Sequence, residues 1–134
     1  MQTAVLPETL SADLEHFRKQ TELFAQGELS AAEFRSYRVP EGIYEQRQSG
    51  TYMLRVRLPG GTVLPDQMRT IAEVAGRFGK GRVHLTTRQD IQIHDVVLQD
   101  LHPALVALAR AGLSTKGGGG NTVRNVIGCC SNSR

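Results

Sequence analysis

The sequence predicts an α+β fold: a four-stranded antiparallel sheet with two helices on one face, in the order β-α-β-β-α-β. Three observations carry this. Residues 51–58 alternate apolar and polar side chains, the period of a strand with one buried face. Residues 64–78 and 98–111 instead repeat apolar side chains at helical spacing. Glycine and proline punctuate the joints, with short strand-like runs between and after the helices.

Ser11 can cap a helix from Ala12 to Ala25, with Leu14, Phe17, Thr21 and Phe24 near helical spacing and Gly27 as its stop. Ser30 followed by Glu33 is a capping box that opens a short helix through Tyr37, ended by Pro40 and Gly42. Residues 1–40 therefore read as a helical N-terminal arm or linker, peripheral to the core, and 41–134 as the main domain. In the strand Thr51–Leu58, Tyr52, Leu54, Val56 and Leu58 share one face, while Thr51, Met53, Arg55 and Arg57 share the other. Pro59-Gly60-Gly61 breaks it. The helix Leu64–Phe78 carries Met68, Ile71, Val74, Ala75 and Phe78 inward and closes at Gly79. Strands follow at Arg82–Thr86 and Asp90–His94, joined by the tight Thr87-Arg88-Gln89 stretch. The helix Leu98–Ala111 buries Leu101, Leu105, Leu108 and Ala109, with Gly112 as its C′ residue. Gly117–Gly120 leads into a last strand, Thr122–Ile127. This order is the ferredoxin-like arrangement.

At 134 residues, 40% hydrophobic and 22% charged, the chain suits one globular domain. It has no apolar run of the roughly 18 residues that a membrane helix needs. No charged segment precedes an apolar stretch at the N-terminus, so no secretory signal is visible. Cys129 and Cys130 are adjacent and cannot build a disulfide framework, which makes a reducing, cytoplasmic setting the expectation. Charge is uneven. Residues 1–50 hold eight acidic and five basic groups, whereas 51–134 hold eleven basic and five acidic. Such asymmetry points to an anionic partner for the second part.

The open sheet face concentrates that chemistry. With the apolar residues turned to the helices, it is left with Arg55 and Arg57, with His84 and Thr86 opposite inward Val83 and Leu85, and with Gln92 and His94 opposite inward Ile91 and Ile93. Arg88 lies in the connection and Arg124 near the last strand. Arginines gathered on one face repel one another unless an anion joins them, and their paired donors suit carboxylate, phosphate or sulfite oxygens. An ordinary solvated face is the bland alternative for each residue alone. The four glycines let backbone N–H groups approach an anion, or simply form a flexible loop. No histidine or cysteine spacing supports a metal site: His16 and His102 fall on helix surfaces, and the adjacent thiols read as buried or incidental.

Three segments resemble the signature stretches of assimilatory nitrite and sulfite reductases: TYMLRVRLPGG (51–61), HLTTRQDIQIHDV (84–96) and GGGGNTVRNVIGC (117–129). With the leader RVPEGIYEQRQSGTY they cover nearly all of the chain from Arg38 and match the N-terminal copy of that family's duplicated ferredoxin-like half-domain. The resemblance implies siroheme, a polycarboxylate, coupled to a 4Fe-4S cluster, and six-electron reduction of nitrite to ammonia or sulfite to sulfide. By motif position it implies that Arg55, Arg88 and Arg124 meet siroheme and the bound anion, that Gln92 and His94 line the cofactor, and that Arg57, Thr86, Thr87 and Asn125 contribute less directly. The implied partners are a second half-domain, a cluster-binding domain, and a ferredoxin, flavoprotein or NAD(P)H-linked electron donor. The family's cluster cysteines, spaced Cys-x5-Cys and Cys-x3-Cys, do not occur here. Two adjacent cysteines cannot ligate the cluster, so the chain alone is expected to be inactive.

Other readings share parts of this pattern. Precorrin-3B synthase, of cobalamin biosynthesis, has the same half-domain. A nucleic-acid module of this topology stacks bases on sheet aromatics, which the predicted open face lacks, so no nucleic-acid partner is expected. A non-catalytic binding or pairing domain, homodimeric through the open sheet face, is the third.

Overall fold

A computed structural model describes residues 8–48, 50–58, 63–86 and 90–116. Its elements are α1 (Glu8–Ala25), α2 (Ala31–Arg38), β1 (Ile43–Glu45), β2 (Thr51–Val56), α3 (Pro65–Phe78), β3 (Val83–Leu85), β4 (Ile91–Val97) and α4 (Leu101–Arg110), with 3-10 turns at Val39–Glu41 and Leu98–Asp100. The four strands form one antiparallel sheet in the order β1-β2-β4-β3.

The periodicities explain most of this. Tyr52, Leu54, Val56 and Leu58 are all buried, while Met53, Arg55 and Arg57 are only half-buried. Ile71, Val74 and Ala75 of α3 and Leu101, Ala104, Leu105 and Leu108 of α4 close over Leu54, Val56, Ile91, Ile93 and Val96. Ser30 accepts from the Glu33 N–H at 3.1 Å and Glu33 Oε1 from the Ser30 N–H at 3.2 Å, so the capping box forms.

Several expectations change. The first helix begins at Glu8, so Ser11 lies inside it and does not cap it. The helical N-terminal segment is not peripheral: Leu14, Phe17 and Phe34 belong to the same core. Phe34 is 1% exposed, stacked on Phe24 at 4.5 Å and edge-on to Tyr52 at 6.4 Å. A strand precedes Thr51: Ile43–Glu45 pairs with residues 52–54 along the outer edge of β2. The expected last strand, Thr122–Ile127, lies outside the described residues, as do Pro59-Gly60-Gly61, Gly117–Gly120 and both cysteines. Farther along the same edge, Ser114 bridges to Arg57, whose N–H donates to the Ser114 carbonyl at 2.8 Å. β4 is longer than expected and runs to Val97.

Val83 and Leu85 lie opposite Ile93 and Ile91, hence on the helix side of the sheet. Yet they are 38% and 73% exposed. Their strand is at the sheet edge, which leaves them less covered than the central strands.

Candidate anion-binding face of the sheet

Register decides which side chains meet on the open face. Directly paired residues on neighbouring strands point to the same side. Arg55 pairs with Gln92 and Gln92 pairs with His84, so these three form one row across β2, β4 and β3. Tyr44, opposite Met53, joins that side from β1. The sequence expectation of an open face with no aromatic ring beyond histidine is thereby corrected, because β1 was not visible as a strand. The Arg55 guanidinium lies over the Tyr44 ring at 5.6 Å.

Arg55 is held on a second side. Its Nε lies 3.9 Å from Oδ2 of Asp90, whose side chain is 2% exposed while that of Arg55 is 14% exposed. Asp90 also accepts the Thr86 hydroxyl through Oδ1 at 2.5 Å, and the Thr86 N–H donates to the Asp90 carbonyl at 3.1 Å. This clamp ties the end of β3 to the start of β4; Thr87, Arg88 and Gln89 lie outside the described residues. It gives Asp90 two tasks: fixing the guanidinium, and partly balancing its charge in a poorly solvated place.

A second network crosses the far end of the row. The Asp95 N–H donates to Gln46 Oε1 at 2.8 Å, Gln46 Nε2 meets His94 Nδ1 at 3.1 Å, and His94 Nε2 meets Gln92 Oε1 at 3.1 Å. The His94 ring lies edge-on to His84 with centroids 6.0 Å apart. Burial holds the His94 pKa below its ordinary 6.5. His84 and Arg82 push the same way and Asp95 opposes them. Asp95 is in turn paired with Arg82 at 3.1 Å.

Of the residues expected at the site, the sheet brings together Arg55, Arg57, Thr86, Gln92 and His94, with His84 beside them. Thr87, Arg88, Arg124 and Asn125 lie outside the described residues. Sequence reasoning missed Tyr44, Gln46 and Asp90. Asp90 was legible, since it shares the parity of Gln92 and His94. Tyr44 and Gln46 were not, because a strand of three residues leaves no period to read.

The face offers guanidinium and amide donors to an oxyanion or a polycarboxylate, and Asp90, its buried carboxylate, is already engaged. That donor set fits a siroheme edge. Among the described residues no group of three or more His, Cys, Asp or Glu could hold a metal.

Comparison with known proteins gives the same direction. The family model described as the nitrite/sulfite reductase ferredoxin-like half domain matches residues 44–111, from Tyr44 in β1 to just past α4. An assimilatory ferredoxin-dependent nitrite reductase of Haloferax mediterranei is 39% identical over 100 residues, covering 66% of this chain and 17% of that protein. The NADPH sulfite reductase hemoprotein beta-component of Chromohalobacter salexigens is 42% identical over 82 residues, covering 61% and 14%. The chloroplastic ferredoxin–nitrite reductase of Arabidopsis thaliana is 39% identical over 90 residues, covering 65% and 15%. The solved NirA protein of Mycobacterium tuberculosis superposes with a TM-score of 0.70 at 20% identity, over 87% of this chain and 27% of that one, a likeness of fold. The chain thus spans between 14% and 17% of the length of these curated relatives.

Proposed function

The chain belongs to the nitrite/sulfite reductase ferredoxin-like half-domain family, and on that premise we propose that its open sheet face holds siroheme carboxylates and the substrate anion of an assimilatory-type nitrite or sulfite reductase. The observation that carries the reading is the row Arg55–Gln92–His84, flanked by Arg57 and backed by Asp90. When bound, siroheme supplies the six-electron reduction of nitrite to ammonia or of sulfite to sulfide.

The chain's own residues bind and orient. Arg55, steadied by Asp90 and Tyr44, presents a fixed guanidinium, which neutralises oxyanion charge without reorganising at the moment of reaction. Charge placed in advance commonly lowers a barrier by about 3 kcal/mol per donor. Arg57 adds charge along the same strand, and Gln92 and His94 line the cofactor. Arg88 and Arg124 are assigned to the same anion, with Thr86, Thr87 and Asn125 as secondary contacts. The half-domain is assigned to residues 41–134, with 1–40 as a helical N-terminal arm.

The remaining machinery is placed elsewhere. A second half-domain, a domain ligating the 4Fe-4S cluster, and a ferredoxin or NADPH-linked donor complete the enzyme, and the chain alone is inactive. No helix among the described residues is long and apolar enough to cross a membrane, and a cytoplasmic enzyme is proposed.

Adding siroheme to the 15N-labelled chain tests the assignment. Amide shifts are expected to cluster at Arg55, Arg57, His84, Gln92 and His94. Shifts confined to α3 and α4 would refute it.

A further inference from the structure

The two ladders on either side of Met53 are out of step. Tyr52 pairs with Val96 and Leu54 with Ile93, so two residues of β4, His94 and Asp95, oppose Met53 alone. This is a bulge. Asp95 takes a left-handed backbone, φ 66°, uncommon for a residue with a side chain. The bulge returns Val96 to the core and directs the Asp95 N–H to Gln46.

That single bond orders the rest by elimination. A backbone N–H can only donate, so the Gln46 atom it meets at 2.8 Å is the carboxamide oxygen. The other end of Gln46 is therefore an NH2 donor, and His94 Nδ1, 3.1 Å away, must receive it as a bare nitrogen. A neutral ring with a bare Nδ1 carries its proton on Nε2, which donates to Gln92 at 3.1 Å. Gln92 accepts through oxygen. Its NH2 is then the end left for the row it shares with Arg55 and His84. Gln46 is itself anchored, its N–H donating to the Thr51 carbonyl at 2.9 Å.

We infer that Gln46 is a positioning residue: through His94 it turns the donor end of the Gln92 carboxamide toward the ligand side of the sheet, so that the row Arg55–Gln92–His84 presents hydrogen-bond donors to an anion. The inference rests on the anion-binding reading of that face and deepens it. Swapping the Gln92 ends would set a carbonyl oxygen beside the anion and repel it. The charged and titratable groups facing His94 are His84 and Arg82 from β3 and its approach, and Asp95 from its own strand. None of them donates to Nδ1 in place of Gln46.

The ring-nitrogen NMR spectrum of His94 tests this in the unliganded 134-residue chain. A neutral Nε2–H ring with an unprotonated Nδ1 is expected; a dominant Nδ1–H tautomer, or an even mixture, overturns the inference. Gln46→Glu can still accept the Asp95 N–H but can only accept at Nδ1. It should draw a proton there and raise the His94 pKa by about one unit or more. An unchanged tautomer and pKa in a variant that keeps the wild-type amide spectrum over 91–97 would also overturn it. If that variant does not fold, the wild-type tautomer decides alone. Neither measurement contains siroheme, so failure of the cofactor to bind would strike the anion-binding reading and leave this geometry standing, while a wrong tautomer would do the reverse.

Discussion

Asp90 Oδ2 lies 3.9 Å from Arg55 Nε across two adjacent strands, and the carboxylate is almost fully buried. A buried carboxylate is tolerated only where other groups support it; here the Thr86 hydroxyl donates to it and the Arg55 guanidinium lies beside it as a counter-charge. Asp90→Ala removes the anchor of the Thr86 hydroxyl and the counter-charge behind the guanidinium. A loss of roughly 2–3 kcal/mol of stability is expected, read by urea denaturation. The same variant should broaden the Arg55 side-chain resonances.

Phe34 tests whether the N-terminal helices are part of the core. It sits among Phe17, Phe24 and Tyr52, all within ring-contact distance. Phe34→Ala should cost about 3–5 kcal/mol, the range for a large core aromatic. Deleting residues 1–40 should abolish the cooperative thermal transition, since it strips cover from Ile43 and Tyr52. A truncated chain that melts as sharply as the whole would contradict this.

Two glycines should respond with opposite signs. Gly42 has φ +77°, and a methyl there would collide with the Thr115 carbonyl oxygen, where the 114–115 segment crosses the β2 edge. Gly42→Ala is expected to destabilise by about 2 kcal/mol or more. Gly76 lies in α3 with open space around it. Gly76→Ala should stabilise by about 0.5–1 kcal/mol through helix propensity. Denaturation midpoints of both variants check the pair.

Stability should also fall with acid. Burial depresses the pKa of both His94 and His102 below the ordinary 6.5. The unfolded chain then binds more protons in the window just below that value, so the stabilising contribution is complete above 6.5 and is lost as pH falls through the folded values. Glu41 acts oppositely. Burial raises its pKa above 4.5, so its ionisation costs stability as pH rises through that range. Comparing wild type with His102→Gln between pH 7.5 and 5.5 isolates the histidine contribution, and the variant should show the shallower decline.

How much of this could be read from the sequence depends on where a period exists. β2 and α3 were legible because six to fourteen residues repeat one pattern and bury one face. The open-face positions of Arg55, His84 and Gln92 followed from the same parity. β1 was not legible, since Ile43-Tyr44-Glu45 is too short for alternation and owes its strand state to the edge of β2. Its two contributions, Tyr44 under Arg55 and Gln46 against His94, were lost with it. The exposure of Leu85 was hidden for a different reason: pattern gives the side of a sheet, but not whether a strand lies at its edge.

The most direct test of the central claim is a visible-absorption titration of siroheme with the wild-type chain and with an Arg55→Gln, Arg57→Gln double variant. Weak binding by the isolated wild-type chain is expected, with about a tenfold or greater loss in the variant, on the scale of one or two charge-assisted hydrogen bonds. Equal affinity for the two chains would show that the open face is not where siroheme binds.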